Sequence, residues 1–224
     1  MKVLSREEVT RRIAENVANL FNQAEETVVI NLGVGIPNNV SDYVTNENVF
    51  IQGENGLLGV GRLAEEHEVL PNLINSGRQP VVETPGCSYF DSATAFGMIR
   101  GGYIEAAVLG AFEVDGKANV ANWIIPGGKM LGVGGAMDLV NGANTLVIAM
   151  RQTDREGKSK LVKECSLPLT GKGRVKYVFT EWAGFHFVNG KWVLESKADD
   201  ISIEELKSIT EFDFDISDNL KTML

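Results

Sequence analysis

The sequence predicts an α/β fold: one domain over residues 1–224, built on a mixed, mainly parallel sheet flanked by helices and closed by a C-terminal antiparallel hairpin. Three observations predict it. Short apolar runs alternate with segments of helical period through the first two thirds of the chain. Glycine-rich turns directly follow two of those runs, as loops do at the carboxyl ends of strands in open α/β sheets. From about residue 160 the texture changes to alternating runs separated by Asn189-Gly190, the pair that favours a type I′ hairpin turn.

The elements follow in order. Ser5 and Glu8 have capping-box spacing, and Val9, Ile13, Val17 and Leu20 then share one face, so a helix is expected over 6–22. Residues 27–32 read as a strand ending in a Gly-Val-Gly turn. Pro37 starts a second helix reaching about Val44. Val49–Gln52 and Val81–Glu83 are further strands. Asp91 is the N-cap of a helix ended by Gly101-Gly102. The apolar run 103–114 is expected to be one long central strand, buried on both faces. Residues 145–150 form another, 174–180 begin the antiparallel part, and Ser202 with Glu205 caps a short last helix.

Composition narrows the function. Thirty acidic residues against 21 basic ones give a net charge of −9. That balance argues against nucleic-acid binding, which runs on Lys/Arg–phosphate attraction. Any contact with a polyanion must come from a local cluster, from backbone N–H groups or from another chain. Cys87 and Cys165 stand in unrelated contexts, outside any zinc-binding spacing, and read as reduced thiols, so no metal site is expected. The first 21 residues lack a signal-peptide core, and no run approaches the ~20 apolar residues of a membrane span. The expected location is the cytoplasm.

Three loops are dense in glycine: 31–37, 53–61 and 125–138. Glycine lets backbone N–H groups approach a ligand without a Cβ in the way. None of the three completes the dinucleotide pattern, because Gly33-Val34-Gly35 continues as Ile36-Pro37-Asn38. Within the second loop Glu54 lies between Gly53 and Asn55-Gly56. A turn carboxylate there either caps a backbone N–H or projects into a cleft whose donors come from the third loop.

The residues around Glu54 carry a resemblance. NLGVGIP (31–37), ENGLLGVG (54–61), LINSG (73–77), SYFDSATAFGMIRGG (88–102), VLGAFEVD (108–115), ANWIIPG (121–127), GGAMDLVNGA (134–143) and CSLPLTGKG (165–173) occur in order over residues 9 to 215. Together they are similar to the β subunit of family I coenzyme A transferases acting on short-chain or 3-oxo acids. The match departs at two places. Gly53 stands where the family has serine, and Arg62 where it has proline, which bears on substrate choice more than on catalysis.

The resemblance implies a fold, a reaction and roles. Glu54 is expected to be the nucleophile of a ping-pong exchange through a glutamyl-CoA thioester, and the Gly135 N–H the oxyanion donor, with Gly134 beside it. Asn31, Asn55, Gly56 and Gly134 are expected to contribute to the substrate and CoA site; Asn31 and Asn55 are candidate orienting groups, with plain turn chemistry as the other reading for each asparagine. Lys129 is a candidate contact for a CoA phosphate or a substrate carboxylate, with a solvated turn lysine as the other reading. CoA thioester enters as substrate, and no cofactor is held permanently. An α subunit is the expected partner, in an αβ or α₂β₂ heteromer, and acetoacetate with acetate or butyrate the favoured acids. Two other readings stay open: an isomerase-type enzyme on a related scaffold with Glu54 as general base, and a non-catalytic acyl-CoA-binding subunit.

Overall fold

The computed structural model describes residues 3–125, 127 and 132–224. Helix α1 spans Arg6–Asn22. Its capping box is present: the Glu8 N–H donates to Ser5 Oγ at 3.1 Å, and the Ser5 N–H to Glu8 Oε2 at 2.7 Å. Such a cap satisfies N–H groups with no helical partner and is worth about 1 kcal/mol. Strand β1, Val28–Leu32, follows. The segment expected to be a second α-helix from Pro37 is a 3₁₀ helix over Ile36–Tyr43. Proline starts it as expected, but eight residues with asparagines and no side-chain cap support only the shorter, tighter form.

Strand β2 covers Val49–Gly53 and β3 covers Leu57–Leu63. The stretch expected to be a glycine loop over 53–61 is therefore mostly hairpin. Only residues 54–56 form the turn, and Gly53 pairs directly with Leu57. Strand β4, Val81–Tyr89, is longer than expected and runs antiparallel to β3. Helix α2, Ser92–Arg100, is capped by Asp91, whose side chain accepts from the Thr94 N–H at 2.7 Å.

The single strand expected over 103–114 is broken. Strand β5 is Ala106–Leu109, and β6, Glu113–Asp115, belongs to a separate three-stranded sheet with β7 (Val120–Ala121) and β9 (Leu161–Val162). Gly110 ends the buried run. Helix α3 (Ala136–Gly142) and β8 (Thr145–Ala149) return the chain to the main sheet. Strands β10 (Val175–Phe179), β11 (Ala183–Val188) and β12 (Lys191–Lys197) are antiparallel neighbours. Asn189 and Gly190 both have positive φ, 52° and 78°, as a type I′ turn requires. After helix α4, Ile203–Ser208, comes an edge strand not expected from the sequence, β13, Phe214–Thr222, parallel to β12.

The main sheet has ten strands in the order β13-β12-β11-β10-β8-β5-β1-β2-β3-β4. Its centre, β10-β8-β5-β1-β2, is parallel throughout. Alternation along these strands feeds two cores. Ala107, Leu109, Leu146 and Ile148 pack on the face covered by α2 and α3. Ala106, Val108, Val147 and Ile30 pack on the face covered by α1. Burial on both faces explains why the central strands read as unbroken apolar runs. Each large aliphatic side chain placed this way contributes about 1.5–3 kcal/mol. The parallel centre sets the carboxyl ends of β1, β2, β5 and β8 along one edge, with the hairpin turn 54–56 at the end of β2. Among the described residues no helix is long and apolar enough to cross a membrane.

Candidate functional site

Glu54 sits at the tip of the β2–β3 hairpin, half-buried. The Gly56 N–H donates to the Gly53 carbonyl at 3.0 Å and closes the three-residue turn. Gly56 has φ +114°, and a Cβ there would collide with the Phe90 carbonyl. The collision partner is backbone, already held because the Phe90 N–H donates to Gly56 O at 3.0 Å. Only glycine fits. The turn is thus fixed from both sides, and Glu54 is presented at the sheet's carboxyl edge.

The Glu54 carboxylate has a buried neighbour. Asn31, at the end of β1 and fully buried, places Nδ2 3.1 Å from Glu54 Oε2. The same nitrogen lies 2.8 Å from Gln52 Oε1 and 3.0 Å from the Gln52 carbonyl. Two hydrogens share three acceptors, all on one side, which turns the amide's donor end toward Glu54. Gln52 is itself 1% exposed and donates from Nε2 to the Ala95 carbonyl of α2 at 3.3 Å. Gln52 was not among the residues expected at the site. Its one signal in the sequence is a polar side chain in a strand otherwise apolar from Val49 to Ile51. Asn31 Oδ1 is buried without a partner among the described residues.

The other expected residues divide. Asn55 is exposed and donates to the Ile74 carbonyl at 2.9 Å, so its side chain braces the neighbouring loop. A Cβ at Gly53 would press on the Asn55 carboxamide oxygen, the movable end of a side chain, so the serine of the resemblance would fit after a small adjustment. Gly134, with φ +51°, and Gly135, the N-cap of α3, form the turn into that helix. A Cβ on Gly135 would stand 2.8 Å from Phe96 Cζ of α2. Helix α3 is further tied to α2 by Arg100 Nε–Asp138 Oδ1 at 2.8 Å. Lys129 lies outside the described residues.

Arg62, the second departure, makes an exposed ion pair with Glu68, both contacts 2.7 Å. His186 stacks on Tyr177 with ring centroids 4.4 Å apart and meets Glu195 Oε1 at 2.9 Å, while His67 is exposed. Cys87 and Cys165 are free and half-buried. Among the described residues no three His, Cys, Asp or Glu side chains are grouped to hold a metal ion.

Along the same edge, the carboxyl ends of β1, β5 and β8 open into a cleft of about 1290 Å³. Val34, Gly35, Gly110 and Ala149 are among its walls.

Residues 11–208 match the family model described as Coenzyme A transferase. The chain belongs to the coenzyme A transferase family. It is 43% identical over 205 residues to the B chain of a probable succinyl-CoA:3-ketoacid coenzyme A transferase from Bacillus subtilis (strain 168), covering 91% of this chain and 95% of the relative. It is 42% identical over 220 residues to the beta subunit of the acetate CoA-transferase of Haemophilus influenzae, covering 98% of this chain and 95% of the relative. In three dimensions it superimposes on the acyl-CoA transferase apoenzyme of Escherichia coli O157:H7 with a TM-score of 0.74 at 19% identity, a likeness of fold. All of this chain is covered in that match, but it spans only 45% of the longer one. The family chemistry is the transfer of CoA between an acyl-CoA and a carboxylic acid.

Proposed function

We propose that this CoA-transferase chain carries the nucleophile, Glu54, and exchanges CoA between short-chain or 3-oxo acids by a ping-pong path. The supporting observation is the carboxylate itself: half-buried at a rigid hairpin tip and held through Oε2 by a buried amide donor at 3.1 Å. A carboxylate in water is a weak nucleophile. Orientation and partial loss of solvent raise its reactivity.

The steps balance without an external reactant. A Glu54 carboxylate oxygen attacks the thioester carbonyl, and the collapsing tetrahedral adduct expels CoA thiolate, leaving an acyl-glutamyl anhydride. The thiolate attacks the glutamyl carbonyl of the anhydride, releasing the first acid as its carboxylate and forming a glutamyl-CoA thioester. The second acid reverses both steps. The Gly135 N–H serves as oxyanion donor, with Gly134 shaping its approach; such a donor is typically worth about 3 kcal/mol. Asn31 orients the nucleophile, while Asn55 and Gly56 hold its turn. Lys129 is assigned to a CoA phosphate or a substrate carboxylate. No resident metal or cofactor is required, since a thioester is exchanged for a thioester.

Relatives named as the B or beta member of a two-chain enzyme support an α-type partner for this chain. Acetoacetate with acetate or butyrate is the favoured acid pair, and a succinyl donor is the second. The test is exchange between acetoacetyl-CoA and acetate by this chain assembled with the α-type chain of its own organism. Glu54→Gln should abolish exchange and leave the folded state intact. Exchange at the wild-type rate in that variant would refute the assignment.

A further inference from the structure

The donor assigned to Gly135 has little local support. Helix α3 begins without a side-chain cap, so no side chain of the preceding turn accepts from its first N–H groups. The approach to it is rich in glycine. Gly132 and Gly134 have positive φ, 83° and 51°. Among the described residues, and apart from their chain neighbours, no atom lies within 4 Å of where either Cβ would stand. Unbraced glycines leave the backbone free to shift. The start of α3 must be held from elsewhere in the fold.

It is held from α2. The Phe96 ring lies against Gly135, 2.8 Å from the position of an added Cβ. The Arg100 guanidinium lies over the same ring, 5.6 Å from its centroid. It also forks onto Asp138, with Nε–Oδ1 at 2.8 Å and Nη2–Oδ2 at 3.2 Å. Asp138 is in the first turn of α3, three residues past Gly135. A planar fork on a carboxylate sets direction as well as distance. The hydrogen bond from Arg100 holds the Asp138 carboxyl below its ordinary value, so the pair is ionised across the neutral range.

Helix α2 is also tied to the nucleophile. Asn31 lies between Ile30 and Leu32, whose side chains pack on the α1 face. Alternation sends Asn31 to the opposite face, which carries α2 and α3. There Gln52, which accepts from Asn31, donates to the Ala95 carbonyl of α2. One helix therefore connects the neighbour of Glu54 to the start of α3.

We propose that Arg100 is a positioning residue for CoA exchange: through Asp138 and Phe96 it fixes the Gly135 N–H relative to Glu54. This inference rests on the reading of Glu54 as nucleophile and Gly135 as donor. The pair is exposed, its side chains 65% and 33% accessible, and exposed ion pairs contribute little to stability. Its removal should show in turnover and not in folding. A donor to the oxyanion acts in the transition state, so kcat should fall with KM little changed.

The test is steady-state exchange between acetoacetyl-CoA and acetate by the enzyme assembled with its α-type chain, together with urea unfolding of the same assembly. Arg100→Ala and Asp138→Ala should each lower kcat about tenfold, leave KM for acetoacetyl-CoA within twofold, and leave the urea midpoint at its wild-type value. The double variant should lose no more than either single one, because both remove the same contact. Arg100→Lys, which keeps the charge without the fork, should fall between wild type and Arg100→Ala. Lys191→Ala breaks the exposed pair with Asp215 of β13 and is the control, with wild-type kcat. Losses that multiply to about a hundredfold in the double variant would overturn the proposal, as would a loss of kcat matched by a lowered urea midpoint. A raised KM with kcat unchanged would also overturn it, because Arg100 would then contact the substrate itself. Glu54→Gln in the same assay separates the two readings. Wild-type exchange in that variant refutes the nucleophile, whereas wild-type kcat in Arg100→Ala beside an inactive Glu54→Gln refutes the positioning role alone.

Discussion

The Asn31 carboxamide nitrogen lies 3.1 Å from Glu54 Oε2, and it reaches that position from the neighbouring strand, not from the glutamate's own turn. Parallel register makes the contact: Asn31 pairs with Gln52, two residues before Glu54. Removing the amide should therefore act on catalysis through orientation. Asn31→Ala is expected to lower kcat by about 10²-fold, with a smaller change in KM for the acyl-CoA. Steady-state kinetics of the assembled enzyme check this; an unchanged kcat would mean that Glu54 needs no support from β1.

Gln52 acts one contact further out. Its Oε1 accepts from Asn31 at 2.8 Å and its Nε2 donates to Ala95 O at 3.3 Å, so it links the nucleophile's neighbour to α2. Gln52→Leu removes one of the three acceptors that hold the Asn31 amide and should lower kcat by about tenfold. Gln52→Met keeps the length and packing of the side chain without its amide and should lose about as much as Gln52→Leu. Recovery of wild-type kcat in Gln52→Met would assign Gln52 to packing alone.

Gly135 tests the start of α3. A methyl group there meets the Phe96 ring at 2.8 Å. Gly135→Ala is expected to displace the turn, costing about 1–3 kcal/mol of stability and reducing exchange. Adding Phe96→Leu should restore stability, read by urea unfolding, and part of the activity. If the single variant exchanges CoA at the wild-type rate, the N–H of residue 135 is not the oxyanion donor.

Much of this was legible in the chain. The caps at Ser5, Asp91 and Ser202 and the Asn189-Gly190 turn carry their chemistry within four or five residues, and the structure has each of them. What was missed depends on partners distant in sequence. Leu57–Leu63 looks like a glycine loop until β4 pairs with it. Strand β13 shows little period, and among the described residues its ladder comes from β12 alone. The apolar run over 103–114 hides a break, because Gly110 separates two sheets by tertiary position and not by local propensity. At the site, Glu54 and the glycines were readable as residues. That Asn31 reaches the carboxylate, and that Gln52 anchors Asn31, follow from strand register alone.

Asp115 offers a test of the fold away from the site. It is 1% exposed. Burial pushes its carboxyl up, but the side chain and N–H of Asn119 and the N–H groups of Cys165 and Lys117 outweigh burial and hold it below its ordinary value. A depressed folded value means stability fully present above the unfolded value of ~3.9 and lost as pH falls through the folded one. Unfolding free energy should therefore decline below about pH 4. Asp115→Asn should cost about 2–3 kcal/mol at pH 7 and flatten that decline. An acid profile identical to wild type would show that other carboxylates carry the effect.

The central claim is a covalent bond between CoA and Glu54. The direct measurement is borohydride reduction of the assembled enzyme after incubation with acetoacetyl-CoA, followed by mass spectrometry of the peptide containing residues 53–62. A glutamyl thioester is reducible whereas a carboxylate is not, so Glu54 should be recovered as the corresponding alcohol, and only in samples given acyl-CoA. An unmodified Glu54 in an enzyme that is turning over, or reduction at a different carboxylate, would contradict the claim.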